Sequence, residues 1–157
     1  MTADRQRFAA DALVITGGAA MLVSAFAHWV SRGTGSGLRG HALVDAIIAV
    51  GRDFPGMSGA RLTVLWYLVP ATGAASWIAT GLWGAGSRAA RAIAVVAVVV
   101  ALVSIGAIGW IAGYTHLGFG AWLALGGAVA LVVASWVVAP ASRLPTSAGP
   151  WTRHKTS

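Results

Sequence analysis

The sequence contains no cysteine and few charged residues. The absence of cysteine excludes disulfide bridges, thiol catalysis, thiolate metal sites and iron–sulfur clusters. Charged residues make up only 10% of the 157 residues, whereas a typical soluble domain has about 25%. A soluble protein with so little charge could not cover its surface. The hydrophobic share of 57% and the mean hydropathy of +0.76 likewise indicate an integral membrane protein.

Acidic residues are especially scarce, and none lies within a long apolar run. The chain has four, Asp4, Asp11, Asp45 and Asp53. Proton relays, ion-coupled carriers and voltage sensors generally need a charged group inside the membrane, so this distribution argues against all three. Paired-carboxylate catalysis has little to work with, and phosphate-loop, serine-hydrolase and zinc-peptidase motifs do not occur. The sequence therefore favours a protein that is not an enzyme.

Four apolar runs are present, at residues 12–30, 62–84, 92–113 and 120–138. Each is close to the roughly 20 residues that a helix needs to cross a bilayer. They predict an all-α polytopic protein, a four-transmembrane-helix bundle at residues 12–138 between an N-terminal tail, 1–11, and a basic C-terminal tail, 139–157. An alternative for the first run is a cleaved secretory signal, because Ala25-Phe26-Ala27 imitates a cleavage site.

A shorter amphipathic segment lies between the first two runs, at residues 41–50. It is too short to span a membrane. At 100° per residue, Leu43 and Val44 fall on a broad apolar face, and His41 and Asp45 fall on the opposite one. This pattern predicts a short helix at the membrane interface, acting either as a connector or as a lid that docks a partner.

Two features within the runs predict helix geometry. Pro70 removes one backbone hydrogen bond and crowds the preceding turn, so a kink is expected there. Gly109 and Gly113 have the spacing that lets membrane helices approach closely, and Gly106 extends the same face. These three glycines are predicted to form a helix-packing face.

Basic residues predict the orientation. With the N-terminus inside, the inner segments hold Arg5, Arg7, Arg88, Arg91, Arg143, Arg153 and Lys155, and the outer ones hold Arg32, Arg39, Arg52 and Arg61. Lys and Arg favour the cytoplasmic side, so both termini are predicted to be cytoplasmic. Heavy use of Ala, Gly, Val and Arg indicates a bacterial plasma membrane protein. The scattered charges, with no recognition motif, argue against nucleic acid as a partner.

Histidines are the remaining candidates for chemistry. In this orientation His28, His41 and His116 all lie on the outer side. If helicity persists through His28 and His116, both follow small-residue faces, and the pair could supply the axial ligands of haem b. His41 could join them as a third ligand and favour a metal ion instead. The alternative is that these imidazoles merely suit the membrane interface.

The leading hypothesis from the sequence is a non-catalytic accessory or structural subunit of a membrane or envelope complex. Its expected partners are the lipid bilayer and other membrane proteins. The alternatives are a haem- or metal-binding redox subunit that uses the outer histidines, and a small oligomeric channel or uncoupled transporter.

The orientation can be tested by cysteine labelling, because the chain has no native cysteine. In intact cells, an impermeant maleimide should label Ser36→Cys in the first loop. It should not label Ser87→Cys, between the second and third runs, until the membrane is permeabilised. Labelling of Ser87→Cys in intact cells would reverse the predicted orientation.

Overall fold

The computed structural model describes residues 3–33, 38–51 and 59–137. Its elements in chain order are α1 (Ala3–Ser24), α2 (Gly40–Gly51), α3 (Gly59–Trp83), α4 (Arg88–Ala112), a 3₁₀ helix (Tyr114–His116) and α5 (Phe119–Val137). Only two isolated β-bridges accompany these helices in the described ranges. The predicted all-α class is therefore confirmed for this part of the chain, and the predicted C-terminal tail lies outside the described residues.

Three of the described helices are long and apolar enough to cross a membrane. They are Asp4–Ser24, Arg88–Trp110 and Phe119–Val137, with 21, 23 and 19 residues. At 1.5 Å per residue each reaches about 30 Å, the thickness of a bilayer's hydrocarbon core. The prediction of a helical membrane-embedded protein is confirmed at this level.

The long helices pack side by side, and each runs antiparallel to the helices next to it. α1 and α4 lie diagonally opposite each other, and each is flanked by α3 and α5. The short α2 packs on α3. The chain leaves α1 and begins α5 at the same end of the molecule, because Gly120 donates its backbone N–H to the His28 carbonyl at 2.8 Å. We call this end the loop end.

α1 touches both flanking helices through glycine backbone. A Cβ at Gly127 of α5 would lie 2.6 Å from the Gly17 carbonyl oxygen, and a Cβ at Gly73 of α3 would lie 2.8 Å from the Gly18 oxygen. Neither position has room for a side chain. The helices therefore meet backbone to backbone, the kind of contact that small residues allow between membrane helices.

Small residues fill the interior, and large apolar ones face outward. The buried positions on the long helices include Ala10, Ala79, Ala94, Ala97, Ala101, Ala121, Ala124, Ala128 and Ala134. The exposed apolar side chains include Ile15, Ile78, Leu82, Val95, Val99, Leu102 and Val129. This distribution is the reverse of a water-soluble core, in which the large apolar residues are buried.

The first helix ends earlier than the apolar run that predicted it. The run continues to Val30, but α1 ends at Ser24 and is followed by a turn. The indole Nε1 of Trp29 donates to the Ser24 carbonyl at 2.6 Å, so a side chain takes an acceptor that a continuing helix would give to a backbone N–H. At the other end α1 begins at Ala3, so most of the predicted polar tail is helical.

The predicted packing face on α4 meets no neighbouring helix of the described chain at Gly106 or Gly109, and its role stays a prediction. A Cβ at Gly106 would meet no heavy atom of the described chain within 4 Å, and one at Gly109 would meet the ring of Tyr114 rather than a neighbouring helix. Gly113 has a φ of 86° and donates its N–H to the Gly109 carbonyl at 2.9 Å, so it ends α4. With a ψ of 132°, its backbone lies in a positive-φ region that glycine reaches more readily than other residues.

Pro70 lies inside α3, which runs without a break from Gly59 to Trp83. The helix thus accommodates the proline, and the predicted kink stays a prediction. Thr72, two residues later, donates its hydroxyl to the Val69 carbonyl at 2.9 Å, so this polar side chain is satisfied within its own helix.

The helix predicted at residues 41–50 is present as α2. Leu43 and Val44 are buried, whereas His41, Asp45 and Ala49 are exposed, which agrees with the predicted faces. The buried face belongs to the same apolar cluster as Trp66 of α3. α2 therefore rests on the protein itself, and its position at a membrane interface stays a prediction.

The glycine contacts of α1 generate a stability prediction with a neighbouring control. Gly127→Ala should lower the free energy of unfolding by about 1–3 kcal/mol, because its Cβ would push against the Gly17 backbone. Gly126→Ala should leave stability unchanged or raise it by up to about 1 kcal/mol, since open space surrounds that position and alanine favours helix. Thermal unfolding in detergent measures both, and equal behaviour of the two variants would contradict the contact.

Candidate functional site

The loop end is built around Trp29, whose side chain is fully buried. Its indole donates to the Ser24 carbonyl, and its ring packs against that of Trp66 with centroids 4.6 Å apart and planes at 64°. Such an edge-to-face pair contributes about 0.5–1.5 kcal/mol beyond its buried area. Both tryptophans therefore belong to the interior of the protein at this end and not to its outward surface.

The residues around Trp29 are short because the indole needs their space. A Cβ at Gly120 would lie 2.6 Å from Cδ1 of Trp29, and a Cβ at Gly118 would lie 2.5 Å from the His28 carbonyl oxygen. Gly40, the first residue of α2, is buried under the Trp66 ring. Gly40 and Gly120 thus leave room for the two indoles, and Gly118 leaves room for the backbone of His28 and Trp29.

Backbone hydrogen bonds join the segment after α1 to the segment before α5. Ser31 donates its N–H to the His116 carbonyl at 2.7 Å, and Gly118 donates to the Trp29 carbonyl at 2.7 Å. Val30 pairs with Leu117 in an antiparallel bridge, and His28 pairs with Arg39 in another. These bonds satisfy backbone groups that have no helical partner, and they hold the two segments together at the helix ends. We call the paired residues 28–31 and 116–118 the cap.

The three predicted ligand histidines all lie at this end. His28 and His41 are exposed, and His116 is half-buried. Neither His28 nor His116 lies on an α-helix, since His28 follows the end of α1 and His116 belongs to the 3₁₀ helix. The expectation of two imidazoles on facing helices is therefore corrected. α1 and α4 are also diagonal rather than adjacent.

His116 has one feature that its sequence position does not reveal. Its Nδ1 is enclosed by the protein and has no hydrogen-bond partner among the described residues, while its backbone carbonyl accepts from both the N–H and the hydroxyl of Ser31. No group of three or more His, Cys, Asp or Glu side chains in the described ranges could hold a metal ion. Haem or metal binding through these histidines stays a prediction.

The opposite end of the molecule is tied by Arg91 of α4. Its Nε donates to the Ser135 carbonyl at 3.2 Å, and its guanidinium lies 5.6 Å from the centre of the Trp136 ring. Ser135 is close to the C-terminal end of α5 as described, and a cation is favoured near a helix C-terminus. Arg91 therefore links α4 to α5 at the end opposite the loop end.

Comparison of the chain with protein-family models, with curated proteins and with solved structures found no match.

The role of Trp29 gives a prediction about stability. Trp29→Ala should cost about 3–5 kcal/mol, the usual loss for a buried tryptophan, and should expose the loops of the cap to protease. Trp110→Ala is the matched control, because Trp110 is near the same end but 80% exposed. Thermal unfolding and limited proteolysis in detergent measure the difference. A Trp29→Ala variant as stable as Trp110→Ala would show that the cap does not depend on Trp29.

Proposed function

We propose that this chain is a four-span protein of the bacterial plasma membrane that serves as a non-catalytic accessory or structural subunit of a larger membrane complex, with both termini cytoplasmic. The observation that carries the proposal is the distribution of side chains. Alanine and glycine occupy most of the buried positions on the long helices, while most of the exposed apolar side chains are valine, leucine, isoleucine or aromatic. An exposed apolar surface of this extent requires lipid or protein to cover it.

The fourth span of the proposal is α3. It has 25 residues, as many as α4, and it packs on both α1 and α4. The indole Nε1 of Trp77 donates to the Val14 carbonyl of α1 at 3.1 Å. An α-helix makes its backbone hydrogen bonds within itself and can therefore cross a bilayer. In the proposal, α3 crosses the same bilayer as the two spanning helices on which it packs.

Exposed aromatic residues support the same placement. Those near the loop end are Phe26, Tyr67, Trp110, Tyr114, Phe119 and Trp122, those near the opposite end are Phe8, Trp83 and Trp136, and Trp77 lies between the two groups. Two groups of exposed aromatic rings, separated along the helices, are typical of the two interfaces of a membrane. The exposed Arg5, Arg7 and Arg88 lie at the second end, which supports a cytoplasmic assignment for it.

The role as a subunit follows from where surface is available. The contacts of α1 through Gly17 and Gly18 are backbone to backbone, so packing occupies the sides of α1 that face α3 and α5. The outward faces and the loop end are the surfaces left for interaction. α4 presents one such face, with Val95, Val99 and Leu102 each about half exposed.

Native electrophoresis of membranes tests this role. A membrane complex should migrate with a smaller mass in cells that lack the chain, and expression of wild type should restore its size. Gly127→Leu, which disrupts the α1–α5 contact, should fail to restore it. Gly81→Leu is the matched control and should succeed, since a Cβ at Gly81 meets nothing within 4 Å.

Two results would contradict the proposal. If no complex changes in mass and the purified chain is a monomer, a subunit role is wrong. If two differently tagged copies recover each other at a fixed ratio and no other protein accompanies them, the chain forms its own oligomer, as the channel alternative requires.

A further inference from the structure

A groove of about 330 Å³ runs between the outward sides of α1 and α5. Its floor consists of small residues, among them Gly17, Ala20, Gly126 and Ala130, and Phe119 and Trp122 line it toward the loop end. The only hydroxyl in its lining, that of Thr16, already donates to the Ala12 carbonyl at 2.8 Å. The groove therefore offers apolar surface to whatever enters it.

Basic residues lie at the same end of the molecule as the Phe119 end of the groove. The backbone of His28 contacts the first turn of α5 through its bond to Gly120, so His28 is within one helical turn of Phe119. Arg39 pairs with His28 through the backbone, and Arg32 follows the same segment. All three of these side chains are exposed.

The charge at this end is not neutralised by the described carboxylates. Asp4 and Asp11 belong to the far half of α1, and Asp45 lies on the exposed face of α2 beyond His41. An apolar groove that ends among uncompensated cations matches a molecule with a hydrocarbon tail and an anionic head, because basic residues at a membrane surface attract anionic headgroups.

We propose that this groove binds one anionic phospholipid of the leaflet at the loop end. An acyl chain lies along the floor between α1 and α5, and the headgroup phosphate is held by Arg39, with His28 and Arg32 beside it. The inference rests on the membrane placement proposed above but not on the role as a subunit.

The size of the groove favours a lipid chain over a protein helix. A helix with its side chains is about 10–12 Å wide, whereas an extended acyl chain is a single row of methylene groups. A partner helix could only rest on the rim, whereas an extended acyl chain is thin enough to reach the glycines. The aromatic residues Phe119 and Trp122 stand where the chain would meet its headgroup, the depth that tryptophan prefers.

Native mass spectrometry can test the site on the full-length protein. The protein is stripped of lipid in detergent and then mixed with micelles that contain either phosphatidylglycerol or phosphatidylcholine with identical acyl chains. Wild type should retain one phosphatidylglycerol at a concentration at least about fivefold below that needed for phosphatidylcholine, the gain expected from a single basic group at the surface.

Two pairs of variants test the binding of the acyl chain and the binding of the headgroup separately. Gly126→Leu fills the groove without a clash, because a Cβ there meets nothing within 4 Å, and it should weaken retention of both lipids about tenfold or more. Gly81→Leu, the same change on the exposed side of α3, should have no effect. Arg39→Gln should weaken phosphatidylglycerol alone by about fivefold, and Arg5→Gln, an exposed arginine at the opposite end, should not.

Three outcomes would overturn the proposal. Retention of phosphatidylglycerol by Gly126→Leu at the wild-type level would show that the lipid binds outside the groove. Equal retention of the two lipids by wild type would contradict the preference for an anionic headgroup. A wild-type dimer that Gly126→Leu converts to a monomer, without bound lipid, would make a second copy the occupant. A chain that never fractionates with membranes would instead contradict the proposed function, so the two failures are distinct.

Discussion

Two adjacent glycines in the middle of α1 set the arrangement of the other helices. Gly17 meets the backbone of α5 at Gly127, and Gly18 meets the backbone of α3 at Gly73. Successive residues of a helix point about 100° apart, so one glycine pair can face two different neighbours. Without a hydrophobic driving force between helices in lipid, such close approach is what makes association favourable. α1 is therefore held between α3 and α5, and α4 completes the arrangement from the far side.

The loop end depends on this register. With Gly17 opposite Gly127, the last turn of α1 lies beside the first turn of α5, so the segment after Ser24 can pair with residues 116–118 and place Trp29 over the helix ends. The cap then encloses Trp66 and the buried face of α2. The same alignment leaves a groove on the outward side of the α1–α5 pair, with exposed cations at one end. The contact between α1 and α5 thus determines both the internal packing and the groove on the outward surface.

Hydropathy is enough to predict a helical membrane protein from this sequence, because a long apolar run has few alternatives in a bilayer. It is also enough to predict α2 and its two faces. It misplaces the end of α1, since an apolar run does not reveal that the Trp29 indole will take the Ser24 carbonyl. The spacing of Gly106, Gly109 and Gly113 does not identify the glycines at which the described helices meet, which are Gly17, Gly18, Gly73 and Gly127. Small residues permit close packing, but the sequence does not say which of 21 glycines has a neighbour. The signal for the cap in the sequence was the pair Gly118 and Gly120 at the start of α5. Their lack of side chains leaves space that Trp29 and its backbone occupy.

A double-mutant cycle tests the central contact most directly. If Gly17 and Gly127 meet backbone to backbone, an alanine at either position separates α1 from α5, and the second alanine then costs much less than it does alone. The account predicts a coupling of about 0.5–3 kcal/mol between Gly17→Ala and Gly127→Ala in thermal unfolding. A much smaller coupling, within about 0.5 kcal/mol of additivity, is expected between Gly109→Ala and Gly127→Ala, because the Cβ at Gly109 would meet the Tyr114 ring and the Cβ at Gly127 would meet α1. Additive costs in the first pair, or no cost for either single alanine, would contradict it.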